Sequence, residues 1–275
     1  MVPVSLDLAA AARSLLFVPA ARPQRFAKAA ASGADMVIVD LEDAVPPERK
    51  AAARGDTVDW LTGDGRAAVR VNPADSEHHA EDVAALVGLP GLTAVVLPMA
   101  DSVRALTELW ERLGPGVALI AQIETAAGLV RAVDIAGAPG VVRLAFGHLD
   151  FAVDIDASPE PESMAWARSS LVVASRAAGL AGPVDSVTTD LDDERATRRD
   201  AGCARSLGFT GKLCIHPRQV AAVNEAMSPT AEQIAWAERV LATGRGGAVR
   251  VGGQMVDAPV VARAERIMAR ARSTR

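Results

Sequence analysis

The run Val117-Ala118-Leu119-Ile120-Ala121-Gln122-Ile123-Glu124-Thr125 reads as a strand buried on both faces that ends in a carboxylate. A second run, Val141-Val142-Arg143-Leu144-Ala145-Phe146-Gly147, leads in the same way to Asp150, 26 residues after Glu124. Two successive parallel strands bring such carboxylates to one point. There they can hold a hard divalent cation and leave room for water and substrate.

Working outward, six further short apolar runs flank these two. Strands are expected over 14–19, 34–41, 67–72, 94–99, 117–125, 141–147, 184–187 and 212–216. Helical stretches are expected between them over 25–32, 80–87, 102–113, 128–135, 164–178 and 194–207. Eight β-α repeats predict an α/β fold, a TIM (β/α)8 barrel, for which about 250 residues is typical. A doubly wound open sheet ranks lower. The turn after the first strand reads Pro19-Ala20-Ala21-Arg22-Pro23 and holds no Gly-x-Gly-x-x-Gly.

The barrel is assigned to residues 1–225 and a C-terminal helical extension to 226–275. Ser228-Pro229-Thr230 starts a helix over 230–243, with Glu232 in its first turn. A Gly-rich stretch over 244–247, an extended segment over 248–251 and a last helix over 259–272 follow. So short a tail is expected to pack on the barrel or on a neighbouring subunit.

Composition narrows the function. The 275 residues are half apolar, carry a net charge of -5 and include no tyrosine. Nucleic acid is not an expected partner, since it needs basic surface and stacking aromatics. Cys203 and Cys214 lie in apolar surroundings and are expected to be buried free thiols of a cytoplasmic protein. No basic segment precedes an apolar core near residue 1, and no apolar run approaches the roughly 20 residues that span a bilayer. Neither a leader nor a membrane partner is expected.

A barrel places its chemistry at the C-terminal ends of its strands. Polar residues collect there: Asp40-Leu41-Glu42-Asp43, Arg70, Asn72, Glu124, Asp150 and His216. Glu124 and Asp150 are the metal candidates, with capping of the following helices as the alternative. A site of two carboxylates suits Mg²⁺ or Mn²⁺. Arg70 interrupts an apolar strand and needs an anion, either a substrate carboxylate or an internal partner, Glu42 or Asp43. Glu42 and Asp43 are assigned to holding metal-bound waters and Arg70, with helix capping before Pro46 as the alternative. His216 before Pro217 reads as structural, His78, His79 and His148 have no zinc-ligand spacing, and no Gly-x-Ser-x-Gly elbow is present.

These residues match a known pattern. The chain resembles the β-subunit-like citrate lyases, within the wider HpcH/HpaI aldolase and malyl-CoA lyase family, from about Ser14 to Ala264. The resemblance rests on Leu15-Leu16-Phe17-Val18-Pro19, Val39-Asp40-Leu41-Glu42-Asp43-Ala44-Val45, Val69-Arg70-Val71-Asn72 and Ile123-Glu124-Thr125. Phe146-Gly147 with Asp150, Gly208-Phe209-Thr210-Gly211-Lys212, Ile215-His216-Pro217-Arg218 and Gly253-Gln254-Met255-Val256-Asp257-Ala258-Pro259 follow in order.

The resemblance implies a barrel assembling as homotrimers or hexamers. It implies Mg²⁺ on Glu124 and Asp150, and Arg70 on the carboxylate of an oxo-acid or acyl-CoA substrate. Phe17 and Lys28 fall where relatives contact substrate or coenzyme A. Asp257 matches an acid that reaches a neighbour's site. Departures are Met99 where relatives usually place Lys, Ala20 for a common Gly, His148 where an acid is frequent, and Asp154-Ile155-Asp156 without a frequent Gly. The expected reaction is Mg²⁺-dependent cleavage of a 3-hydroxyacyl thioester of malyl-, citramalyl- or citryl-CoA type into an oxo acid and acetyl-CoA. The alternatives are an aldolase on free hydroxy-oxo acids and a non-catalytic barrel subunit.

Overall fold

The computed structural model describes residues 4–242, 249–251 and 254–273. Eight strands form one closed barrel in chain order. They are β1 (Ser14–Pro19), β2 (Met36–Asp40), β3 (Ala67–Arg70), β4 (Leu92–Leu97), β5 (Ala118–Ile123), β6 (Val141–Phe146), β7 (Val184–Asp185) and β8 (Gly211–Cys214). Every pairing is parallel, and β1 against β8 closes the ring. This is the expected TIM barrel.

The strands are largely apolar because both faces are buried. Leu15, Ile38, Ala68, Val96, Ile120, Ala145, Val184 and Leu213, one from each strand, meet in a single interior cluster. Side chains alternate along a strand, so this inward row extends to Phe17, Asp40, Arg70, Gln122 and Gly147 at the C-terminal mouth. The register sets Asp40 of β2 directly beside Arg70 of β3.

At the opposite end helix Val4–Ala11 packs against β4, β5 and β6, and its Ala9 joins the interior cluster. Arg143 of β6 is fully buried there. Its guanidinium donates to Ala9 O (3.3 Å), Ala12 O (2.5 Å), Gly182 O (3.0 Å) and Thr210 Oγ1 (2.8 Å). Two of these acceptors are carbonyls at the end of the plug helix, which a cation satisfies well. Neither this helix nor the role of Arg143 was anticipated from the apolar pattern.

Several elements differ from expectation. Helix Lys50–Thr62 was not foreseen: its buried face is Lys50, Ala53, Thr57 and Leu61, which is no apolar stripe. The helix expected over 128–135 is two short ones, Ala126–Val130 and Ala132–Ala136, broken at Arg131, whose Nη1 donates to Asp101 O. Helices His148–Asp154 and Pro217–Met227 complete the ring. Helix Glu194–Leu207 ends at Gly208 with φ 114°, a conformation a side chain resists. Cys203 on this helix is exposed, a correction to the sequence expectation: the helix buries Thr197, Ala201 and Ala204 instead. Cys214 is buried, and burial pushes its thiol up to about 12.

The chain divides into two compact units, Met1–Asn224 and Glu225–Arg275. Within the second, helices Ala231–Ala242 and Ala258–Ser273 share a small core of Ala237, Val240, Val256, Ala264 and Ile267. A hairpin of β9 (Val249–Val251) and β10 (Gln254–Val256) joins them, where the sequence suggested a single extended segment. The Gly-rich stretch over 244–247, Thr243 and Gly253 lie outside the described residues. Among the described residues no helix is long and apolar enough to cross a membrane.

Candidate active site at the barrel mouth

A cavity of about 340 Å³ opens at the C-terminal mouth. One part of its wall is polar: Asp40, Asp43, Arg70, Gln122, Glu124 and Asp150. The rest is largely apolar, with Phe17, Leu149, Val187, Leu213 and Ile215. Two larger crevices, of about 880 and 520 Å³, hold no comparable set. The first lies beside the strand starts, and its Asp35 is already paired with Arg13 at 2.8 Å. The second lies between helices His79–Leu86 and Val103–Leu113. Convergent charge, and not volume, marks the mouth as the candidate site.

Arg70 is the centre of the polar wall. Its Nε and Nη2 donate to Asp40 Oδ1 and Oδ2, both at 2.8 Å, a bidentate pair. Nη2 also meets Asp43 Oδ2 at 3.4 Å, and Nη1 lies 2.8 Å from Glu42 Oε2. The guanidinium rests over the Phe17 ring, 4.7 Å from its centroid. Burial opposes the charged form, but Asp40, Glu42 and Asp43 together raise the affinity of Arg70 for its proton. The internal partner weighed from the sequence was Glu42 or Asp43; the structure places Asp40 first. Inward alternation with Ile38 carried that signal.

Asp40 also accepts from Glu42 N (3.0 Å) and Ala44 N (3.4 Å), so one carboxylate shapes the turn and fixes the arginine. Glu42 is pushed up to about 9, chiefly by burial, with Arg70 opposing and Asp43, Glu124 and Asp40 adding to the rise. The close approach of Arg70 Nη1 does not reverse this, because Asp40 already neutralises that guanidinium. The contact also lacks a hydrogen bond's alignment: Glu42 Oε2 is buried with no hydrogen-bond partner among the described residues.

Glu124 is 2% exposed and does not cap the next helix; Thr125 does, accepting from Gly128 N at 3.0 Å. The Glu124 carboxylate turns inward. Oε1 accepts from Gln122 Nε2 (2.6 Å) and Oε2 from Met99 N (2.9 Å). Met99 takes φ 49°, unusual for a side-chain-bearing residue, with its N–H on that carboxylate. Burial pushes Glu124 up to about 7, against the Met99 N–H, Arg70 and Gln122; the charge of Asp150 adds to the rise. Gly147 makes room for it. A Cβ there would lie 2.6 Å from Glu124 Cγ and closer still to Oε1.

Strand β6 ends at Phe146, and Asp150 stands in the first turn of helix His148–Asp154, exposed and lining the cavity. Its carboxylate has no hydrogen-bond or ion-pair partner among the described residues. No cluster of three or more metal-ligating side chains occurs among them either. The donor set is therefore two carboxylates, one buried and one free, with the negative charges of the mouth outnumbering its one guanidinium. Such a set fits a hard cation that keeps open positions.

The remaining candidates are more dispersed. Lys28 is exposed on helix Phe26–Ala30 and does not line the cavity. Asp257 belongs to the second unit, where its Oδ1 accepts from Val260 N (3.3 Å) at the start of helix Ala258–Ser273. His216 does not line the cavity, and its Nδ1 accepts from Arg218 N at 3.2 Å. His148 is buried on Ser186, and burial lowers its pKa to about 4, so it stays neutral. Gln122 and Gly147 were not singled out, although the same two-residue alternation that points Glu124 inward includes Gln122.

Known proteins share this arrangement of elements. A family model described as HpcH/HpaI aldolase/citrate lyase matches residues 13–217, and one for carbon–carbon bond lyases of the TIM-barrel fold matches residues 177–274. A citrate lyase subunit beta-like protein from Mycobacterium tuberculosis is 38% identical, over 97% of this chain and 98% of its own length. A (3S)-malyl-CoA thioesterase from Cereibacter sphaeroides is 32% identical over 94% of each. The crystal structure of CitE from Mycobacterium tuberculosis in complex with magnesium, acetoacetate and coenzyme A superposes with a TM-score of 0.83. It is 38% identical, over 95% of this chain and 98% of that one. With this fold and these matches, the chain belongs to the HpcH/HpaI aldolase/citrate lyase family of carbon–carbon lyases.

Proposed function

We propose that the protein is a Mg²⁺-dependent lyase that cleaves a 3-hydroxyacyl thioester of malyl-, citramalyl- or citryl-CoA type into an oxo acid and acetyl-CoA. The observation that carries this reading is the shared cavity of Arg70, Glu124 and Asp150. The ligands of the related CitE structure, magnesium, acetoacetate and coenzyme A, support it.

Glu124 and Asp150 would hold the cation, with Mn²⁺ as the alternative ion. When bound, such an ion lowers the pKa of a substrate hydroxyl and draws charge from the adjacent oxygen. Gln122 and the Met99 N–H keep the Glu124 carboxylate in place. Arg70, with Phe17 beneath it, binds the substrate carboxylate and fixes the bond to be broken. The hydroxyl proton passes through water to a carboxylate of the polar wall, and its O–H electron pair becomes part of the new carbonyl. The pair of the broken carbon–carbon bond passes to the thioester α-carbon, which then takes up a proton. Asp257 of the partner subunit supplies that proton in a homotrimer or hexamer. Glu42 and Asp43 hold Arg70 and metal-bound waters, and Lys28 offers a cation to the phosphates of coenzyme A. The reaction belongs to the cytoplasm.

A panel of CoA thioesters, with and without Mg²⁺, analysed by mass spectrometry tests this. Metal-dependent release of acetyl-CoA and an oxo acid is expected, and Glu124→Ala abolishes it. Turnover of a free 4-hydroxy-2-oxo acid with no thioester turned over would overturn the thioester assignment.

A further inference from the structure

Lys50 opens the helix that follows the acidic turn, does not line the cavity, and is buried. Its Nζ donates to Leu41 O (2.8 Å), Glu42 O (3.1 Å) and Asn72 Oδ1 (2.7 Å). Three hydrogens meet three oxygens, and none belongs to a carboxylate. Asn72 continues the chain: its Nδ2 donates to Leu41 O (3.2 Å) and Asp82 Oδ2 (2.6 Å), and its N–H to Asp82 Oδ2 (3.0 Å). Arg54 Nε closes it on Asp82 Oδ1 at 2.9 Å.

The placement gives this network a task. Residues 41–43 lie beyond the last paired residue of β2, yet carry two of the three carboxylates around Arg70. Lys50 grips the two carbonyls between Asp40 and Asp43, and through Asn72 ties them to the chain two residues beyond Arg70. A neutral donor could make fewer of these bonds. An ammonium also offsets the mutual repulsion of the crowded acids.

We propose that Lys50 is a positioning residue that sets how Arg70 presents its guanidinium to a carboxylate ligand, acting through the Leu41 and Glu42 carbonyls and Asn72. The ligand part of this inference rests on Arg70 being the carboxylate clamp of the proposed reaction; the geometric part does not.

Lys50→Met keeps the aliphatic stem and removes all three donors. Three measurements separate positioning from a general loss of structure. The Arg70 Nε–H signal in a proton–nitrogen correlation spectrum should move, and its exchange with water should speed about tenfold. Affinity for pyruvate in the presence of Mg²⁺, by calorimetry, should fall about tenfold. Affinity for Mg²⁺ alone should stay within about twofold, because Glu124 and Asp150 touch none of this network, and Glu42 and Asp43 would meet the ion only through water. An unchanged Arg70 signal with unchanged pyruvate affinity overturns the proposal, as does an equal loss of pyruvate and Mg²⁺ affinity. Asn72→Ser, which breaks one link, gives a weaker form of the same pattern if Lys50→Met does not fold. A wild-type protein that binds no pyruvate, but whose Arg70 signal still responds to Lys50→Met, keeps the positioning and removes the carboxylate reading of Arg70.

Discussion

Arg70 and Arg143 both point into the barrel, one at the mouth and one at the floor, and their surroundings are opposite. Arg143 meets three carbonyls and a hydroxyl, with no carboxylate in contact. Burial pushes its guanidinium down, to about 9, with Asp35 opposing, and it stays charged at neutral pH. Arg70 meets Asp40, Glu42 and Asp43, with Glu124 and Asp150 on the same wall. The floor cation is matched by neutral dipoles and leaves nothing over. The mouth carries more negative charge than one arginine can neutralise, an arrangement that favours a bound cation over a closed structural core.

The largest test removes a mouth carboxylate. Glu124→Gln should lower kcat/KM by about a thousandfold, or ~4 kcal/mol of transition-state stabilisation. The metal-free protein should change little in stability: a buried carboxylate raised to about 7 loses its charge, the amide oxygen keeps the Met99 N–H, and Gln122 can turn its unpartnered Oε1 to the new NH2. Turnover with Mg²⁺ titration, alongside thermal melts, measures both. Full activity in the variant would place the chemistry elsewhere.

Exchanging each arginine for methionine sharpens the contrast through stability. Arg143→Met removes the donor from four buried acceptors, of which Gly182 O keeps Thr210 Oγ1, and should cost about 3–5 kcal/mol alike at pH 5 and pH 8. Arg70→Met should cost about as much at pH 8, because Asp40 is left as an uncompensated buried charge. Without the guanidinium, Glu42 loses the one charge that opposes its rise. The folded protein then binds more protons than the unfolded, so stability returns as the pH falls. Urea melts at pH 5 and pH 8 should separate the two variants.

The same contrast explains what could be read from sequence. Eight apolar runs with intervening helices gave the barrel, because strands buried on both faces leave an unbroken apolar signature. The rule that a barrel carries its chemistry at strand ends put Arg70 and Glu124 at the mouth, and the register places Asp40 beside Arg70. Arg143 was hidden, since its acceptors are backbone carbonyls, which no residue type announces. Helix Lys50–Thr62 was hidden for a related reason: its buried face begins with a lysine whose partners are again mostly carbonyls. The expected role of Asp150 depended on a strand end, but it stands in a helical turn, four residues beyond Phe146. Side chains that pair with side chains are legible; those that pair with backbone become visible only with the fold.

Glu42 offers a pH-dependent test of the excess charge. Its folded pKa is raised from an ordinary 4.5 to about 9. A carboxyl raised in this way contributes stability that is fully present below about 4.5 and is lost as the pH rises through about 9. The metal-free protein should therefore lose stability steadily from pH 5 to pH 9, by up to ~1.4 kcal/mol per pH unit from this group. Glu42→Gln, which has no proton to lose, should flatten that slope, and the floor variant Arg143→Met should not. Denaturation across this range with a chelator present makes the comparison.

The smallest expected change adds one methyl group. Gly147 lies at φ -105°, which any residue adopts, so alanine strains no backbone there. The obstacle is the Glu124 side chain across it, with Cγ 2.6 Å from the position a Cβ would take. Glu124 cannot retreat freely, because Gln122 and the Met99 N–H hold one oxygen each. Gly147→Ala must therefore stretch one of those bonds or move the strand ends, at a cost of about 1–3 kcal/mol. Most of that strain falls on the carboxylate and little on the barrel, whose inward row below this level is untouched. Mg²⁺ affinity should drop about tenfold, or ~1.4 kcal/mol, with the melting temperature shifted by only a few degrees. A large loss of stability with metal affinity intact would mean that Glu124 gives way without cost, and that its present position is not what the mouth is built to hold.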